Sequence, residues 1–139
     1  MSFLLDTNVV SEWVKPLPNL GVISWLEDVD EDKVSLSAVT IAELRYGIEK
    51  MPVGSRKTTL ANWLEHDLAL RFEGRILSID QAVADACGQL IAQSERLGRR
   101  METIDGFIAA TARIHRHTIV TRNTSDFVAV TKDLLNPWS

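Results

Sequence analysis

Four acidic side chains invite a chemical reading, three of them because they interrupt apolar stretches. Asp6 ends the run Phe3-Leu4-Leu5 and is followed by Thr7-Asn8. Glu43 lies in Thr40-Ile41-Ala42-Glu43-Leu44, and Asp105 in Ile104-Asp105-Gly106-Phe107-Ile108-Ala109-Ala110. Asp126 closes Thr121-Arg122-Asn123-Thr124-Ser125-Asp126. An unpaired buried carboxylate is costly, so a cation is its natural partner. Ligands that are all oxygen favour Mg²⁺ or Mn²⁺ over zinc. Each acid also has a plain structural reading. Asp6 suits a helix cap, Thr40 and Glu43 fit a capping box, Asp105 suits the first turn of a helix, and Asp126 suits a loop. Four such acids in one chain shift the balance toward a shared site.

Other chemistries find no support. The glycines form neither G-x-G-x-x-G nor a G-x-x-x-x-G-K-[ST] loop, and no G-x-S-x-G elbow is present. One Cys and three scattered His do not have zinc-site spacing. An aspartate phosphotransferase needs a second acid two residues after the first, where Asn8 stands. The single cysteine, Cys87, excludes an internal disulfide and fits a reducing cytoplasm. No apolar run approaches the roughly 18 residues of a membrane span, and the start does not read as a signal peptide.

These acids need a scaffold, and the apolar pattern supplies one. Phe3–Leu5, Lys33–Leu36, Arg75–Ile79 and Thr118–Thr121 read as strands. Helices are expected over Asp6–Val14, Asn19–Glu27, Ala38–Lys50, Ser55–Leu70, from the Asp80 cap to Gly98, and over Ile104–Arg116. Asp28–Asp32 reads as an acidic loop, and Leu134–Trp138 as a last extended segment. Strands alternating with helices predict an α/β domain with a central parallel β-sheet flanked by helices. Ligands of such sheets sit beyond the carboxyl ends of the strands, where Asp6 and Asp126 fall. The length of 139 residues suits a single domain, and 45% apolar with 24% charged residues is an ordinary globular balance. Fifteen Lys and Arg against nineteen Asp and Glu leave a formal charge of −4, so the surface as a whole is not basic.

Taken in order, the motifs resemble PIN-domain proteins of the VapC/FitB toxin type. The resemblance runs from end to end. It rests on Leu4-Leu5-Asp6-Thr7-Asn8, on the stretch from Ser37-Ala38-Val39-Thr40 through Glu43-Leu44-Arg45-Tyr46-Gly47, on Asp105-Gly106-Phe107-Ile108-Ala109-Ala110-Thr111-Ala112, on Thr121-Arg122-Asn123-Thr124-Ser125-Asp126-Phe127 and on Asn136-Pro137-Trp138. It implies one PIN domain over residues 1–139. It also implies a Mg²⁺- or Mn²⁺-dependent endoribonuclease, the toxin of a toxin–antitoxin pair, that leaves a 5′-phosphate and a 3′-hydroxyl. Asp6, Glu43 and Asp105 take metal-site roles. Some relatives carry the fourth acid where Asn123 stands; others have Asn there and an acid three residues on, which matches Asp126. Asp126 is favoured, with Asn123 as a neutral contributor and Thr7 and Thr121 as polar contacts.

The implied partners are RNA, a small VapB/FitA-like antitoxin that binds DNA, and a second copy of the chain. Candidate RNA contacts are Arg45, the Arg96/Arg99/Arg100 cluster and Arg113/Arg116/Arg122. The plain reading of these arginines is solvated surface; among them Arg99 and Arg100, just ahead of the Asp105 helix, are the favoured RNA contacts. The alternative function is a non-catalytic binding module of the same fold acting through the antitoxin complex. An intact acidic set argues against it.

Overall fold

The computed structural model describes residues 1–139. Five short strands form one sheet: β1 (Phe3–Leu5), β2 (Val34–Ser37), β3 (Ile76–Leu77), β4 (Thr118–Val120) and β5 (Leu134–Leu135). Their order is β3-β2-β1-β4-β5, and every pairing is parallel. Helix α1 (Thr7–Glu12) and α2 (Leu20–Asp28) connect β1 to β2. Helices α3 (Ala38–Glu49), α4 (Ser55–Asn62) and α5 (Ala69–Arg71) lead to β3, and α6 (Gln81–Arg96) and α7 (Thr103–His115) cross back to β4. This is the expected α/β arrangement. No helix is long and apolar enough to cross a membrane.

Side chains of a strand alternate between faces, and that alternation builds two cores. Leu5, Val34, Leu36 and Val120 face one layer with Val9, Val22, Leu44 and Phe72. Leu4 and Ile119 face the other with Leu90, Ile108 and Phe127. Covered on both sides, β1 is apolar throughout and β4 from Ile119 on, until Asp6 and Thr121 follow them. Cys87 is buried in the second core, in keeping with a structural role.

Several boundaries differ from the sequence reading for physical reasons. The expected acidic loop is shorter, because α2 runs to Asp28 and Asp30 caps a 3₁₀ turn over Glu31–Lys33. The helix from Ser55 is not uniform: a π-helical segment, Trp63–Leu68, joins α4 to α5. Leu60, Leu64, Leu68 and Phe72 are all buried and recur every four residues. A wider turn keeps such a series on one face, where a regular α-helix would rotate it away. Of the final extended segment, only Leu134–Leu135 pairs, as a fifth parallel strand beside β4.

Candidate active site

The strand order places β1 between β2 and β4, with connections leaving β1 and β4 in opposite directions across the sheet. That is a topological switch point, and the crevice beyond the carboxyl ends there is the usual place for a ligand. Asp6 follows β1 and Thr121 follows β4, so both stand at this point. Asp6 caps α1: its Oδ1 accepts the Thr7 N–H at 2.8 Å, while its Oδ2 accepts the Thr121 hydroxyl at 2.8 Å. The cap and the site reading of Asp6 are therefore compatible. The side-chain amide of Asn8 reaches Thr121 Oγ1 at 3.4 Å and Asp6 Oδ2 at 3.5 Å, and its Oδ1 accepts the Arg122 N–H at 3.4 Å. Asn8 is thus a clamp between the two strand ends, one that sequence reasoning missed. Its only sequence signal is its place in Asp6-Thr7-Asn8.

Glu43 arrives from α3. The capping-box expectation for Thr40 and Glu43 fails, because Ser37 caps this helix by accepting the Val39 N–H. Thr40 is instead wholly buried one turn inside. The Thr7 hydroxyl lies 3.3 Å from Thr40 Oγ1 and donates to Glu43 Oε1 at 2.5 Å. A threonine on α1 thereby ties α3 to the Asp6 cap.

Asp105 sits in the first turn of α7, as expected. Tight packing fixes that turn. A Cβ on Gly106 would lie 2.8 Å from Ile91 Cγ1 and Cδ1 and 3.0 Å from Cys87 Sγ on α6. Asp126 is exposed on a 3₁₀ turn, Thr124–Asp126. That turn is anchored by the fully buried Phe127 and by Arg99, whose guanidinium donates to the Ser125 carbonyl at 2.9 Å. Asn123 is exposed, and its N–H donates to Thr121 Oγ1 at 3.0 Å. Arg100 is exposed and pairs loosely with Glu102 at 3.6 Å. Arg45 is held by Glu49 and Glu65 on the outer side of α3.

The electrostatics connect these acids. Burial raises the Asp6 carboxyl above the ordinary aspartate range. The Thr121 and Thr7 bonds oppose that rise, and the Asp126 charge adds to it. Burial also raises Glu43, against the bond from Thr7 and with the repulsion of Asp6. Asp105 is pushed up to about 7, first by burial and then by the charges of Asp6, Asp126, Glu43 and Glu102. Asp105 makes no side-chain hydrogen bond and no ion pair. It is a half-buried carboxylate facing other acids with nothing to neutralise it.

No three carboxylates converge closely enough to form a ready-made cage. The donor set nevertheless fits a hard cation that keeps part of its water shell, because Mg²⁺ is usually held by one or two carboxylates with water completing its coordination. Beside the acids, an apolar groove of about 250 Å³ opens between α1, α3 and α4. Thr7 and Glu43 line its inner end; Val14, Leu44, Met51 and Trp63 line its walls.

The chain is similar to known proteins along nearly its whole length. Residues 3–133 match the PIN domain family. The chain is 42% identical over 135 residues to toxin FitB of Neisseria gonorrhoeae, covering 97% of each protein. It is 40% identical over 135 residues to VapC ribonuclease Y4jK of Sinorhizobium fredii, covering 97% of this chain and 96% of that protein. A solved structure of FitAB bound to an IR36 DNA fragment superposes with a TM-score of 0.93 at 39% identity, covering 99% of this chain and 96% of that one.

Proposed function

Because the chain belongs to the PIN-domain family, with FitB and VapC toxins among its relatives, we propose that it is a Mg²⁺- or Mn²⁺-dependent endoribonuclease acting as the toxin of a toxin–antitoxin pair. One observation carries the metal dependence: Asp105 is unpartnered and half-buried, and its pKa is pushed up to about 7, first by burial and then by the acids around it. A group in that state gains from a cation more than from any other neighbour.

On this reading Asp6 and Asp105 would hold the ion, and Glu43 and Asp126 would support its waters or a second ion. When bound, the ion supplies Lewis acidity, acidifying a water and neutralising charge on the phosphate and the leaving oxygen. Thr121 and the Thr7 N–H keep both Asp6 oxygens in place, and Thr7 orients Glu43. Asn123 contributes its N–H to Thr121 and presents a neutral side chain at the rim. A site carboxylate accepts the proton of the attacking water as its oxygen bonds to phosphorus. The P–O3′ bond breaks, O3′ is protonated, and the products are a 5′-phosphate and a 3′-hydroxyl. Arg99 and Arg100 lie beside the Asp126 turn and the Asp105 helix, placed to meet the RNA backbone.

The apolar groove ending at Thr7 and Glu43 suits a segment of a small VapB/FitA-like, DNA-binding antitoxin, which would cover the acids and silence them. The similarity to FitAB, solved bound to a DNA fragment, supports a partner that binds DNA. One PIN domain over residues 1–139, a cytoplasmic location and a homodimer within the toxin–antitoxin complex complete the proposal.

The test is calorimetry of Mg²⁺ and Mn²⁺ binding together with RNA cleavage, for the wild type and Asp105→Asn. Metal binding and cleavage that both fail in the variant support the reading. A wild type that binds neither ion and cuts no RNA favours the non-catalytic module instead.

A further inference from the structure

We propose that the groove at the amino ends of β4 and β5, around Arg113 and Arg116, is a phosphate-binding surface for RNA that flanks the bond being cut. This rests on the ribonuclease reading above. The argument starts from the acids. A carboxylate site repels phosphate, so affinity for a polyanion must come from cations elsewhere on the surface.

The cations nearest the acids each have a protein partner as well, so they are only partly free to meet RNA. Arg45 pairs with Glu49 and Glu65, Arg100 with Glu102, and Arg99 donates to the Ser125 carbonyl. Arg122 lies over the Trp138 ring. The cations whose side chains make no ion pair, hydrogen bond or ring contact are Lys33, Arg96, Arg113, Arg116 and Lys132. All but Lys33 cluster. Arg113, Arg116, His117, Thr118, Thr131 and Asp133 line a groove of about 480 Å³, and Lys132 stands between the last two in sequence. Arg113 also lines a second groove with Arg96 along α6. Asp133 is the one acid in the first groove, and it pairs with neither arginine.

Backbone geometry is an independent observation. Arg116 ends α7 in the left-handed region, at φ +58° and ψ +48°, and is the one non-glycine residue with positive φ. Glycine or asparagine ordinarily takes that position at lower conformational cost. Arg116 lines the same groove as Arg113, at the end of the helix whose first turn holds Asp105. The rise of an α-helix over that interval is about 16 Å, within reach of an extended RNA strand lying across both sites. Cations at a helix carboxyl end also complement its dipole, which offsets part of the cost of two like charges there.

The test uses the full chain freed of any partner, a fluorescein-labelled single-stranded RNA of about 20 nucleotides, and EDTA for binding. Arg113→Ala/Arg116→Gly removes both charges, and glycine adopts the Arg116 backbone without strain. We expect this variant to lose roughly tenfold in affinity, with the slope of log K against log salt shallower by about 1.4, as for two lost single-strand phosphate contacts. Arg113→Lys/Arg116→Lys should restore both. With metal, KM for the long RNA should rise in the neutral variant while kcat, and cleavage of a tetranucleotide, match wild type. Unchanged affinity, slope and KM in a variant that still cleaves would overturn this surface and leave the ribonuclease reading intact. A wild type that neither binds nor cuts RNA would sink both. Tighter binding of duplex DNA than of RNA, lost in the neutral variant, would overturn RNA as the occupant in favour of DNA.

Discussion

Thr121 donates its hydroxyl proton to Oδ2 of Asp6 across 2.8 Å, joining residues 115 positions apart in the chain. Thr121 is fully buried, and Asp6 nearly so. This bond makes a carboxylate at the switch point tolerable and sets its orientation. Thr121→Val should therefore destabilise the metal-free protein by about 1–3 kcal/mol, since it leaves a buried acceptor without its donor. It should also raise the Asp6 pKa further. Urea denaturation at neutral pH reads the first effect, and a carboxyl-carbon NMR titration the second. Thr121→Ser keeps the donor and should behave nearly as wild type in both.

Asp105 predicts a pH dependence of stability. Its folded-state pKa is about 7 against an unfolded value of 3.8, so the folded protein holds the proton more tightly. Without metal, stability is greatest below the unfolded value and falls as pH rises through the folded one. After the screening that a half-exposed position permits, the loss is about 1–2 kcal/mol between pH 4 and 8. Asp105→Asn should remove most of that slope. Denaturation midpoints of both proteins across this range provide the measurement, and parallel curves would contradict the assignment.

The same proton couples to metal. An ion that binds the ionised carboxylate displaces it, so Mg²⁺ or Mn²⁺ affinity should rise steeply from pH 6 to 8. Calorimetry in buffers of different ionisation enthalpy should show proton release at pH 6.5 and little at pH 8.5. No difference between the buffers would mean that Asp105 does not meet the ion.

Gly106 offers a packing test beside the site. An added Cβ would meet Ile91 and Cys87 well inside van der Waals contact. Gly106→Ala should cost about 1–3 kcal/mol from overpacking, although alanine favours helix. Adding Ile91→Val should recover part of the loss, because it trims one of the opposing groups. Thermal denaturation of the single and double variants measures this. A stabilised Gly106→Ala protein would show that α6 and α7 are free to move apart.

Much of this organisation was legible in the chain because the signals are local. Phe3-Leu4-Leu5 ending at Asp6 gives both a buried strand and the acid at its carboxyl end. The apolar run after Asp105 gives a helix packed on the sheet. Other features depend on distant partners. Asn8 shows its role only against Thr121 and Arg122, more than a hundred residues away. Thr40 with Glu43 has the spacing of a capping box, and only the position of Ser37 at the end of β2 shows which residue caps α3. The left-handed Arg116 leaves no trace in a sequence where glycine or asparagine would be expected. Strand β5 is two residues long, too short for any periodicity, and it exists because β4 offers it an edge.

Cleavage of total RNA by the purified chain, freed of any partner, tests the central claim most directly. Wild type and Asp6→Asn are compared with Mg²⁺, with Mn²⁺ and with EDTA. The asparagine keeps one acceptor oxygen for the Thr7 N–H that caps α1, and its amide nitrogen takes the place of the oxygen facing Thr121, whose hydroxyl can turn to accept from it; circular dichroism verifies that the fold survives. The account predicts cleavage by wild type with metal, none with EDTA, and a loss of at least about a thousandfold in Asp6→Asn, on the scale of removing a central electrostatic group. Cleavage that persists in EDTA, or in folded Asp6→Asn, would contradict it.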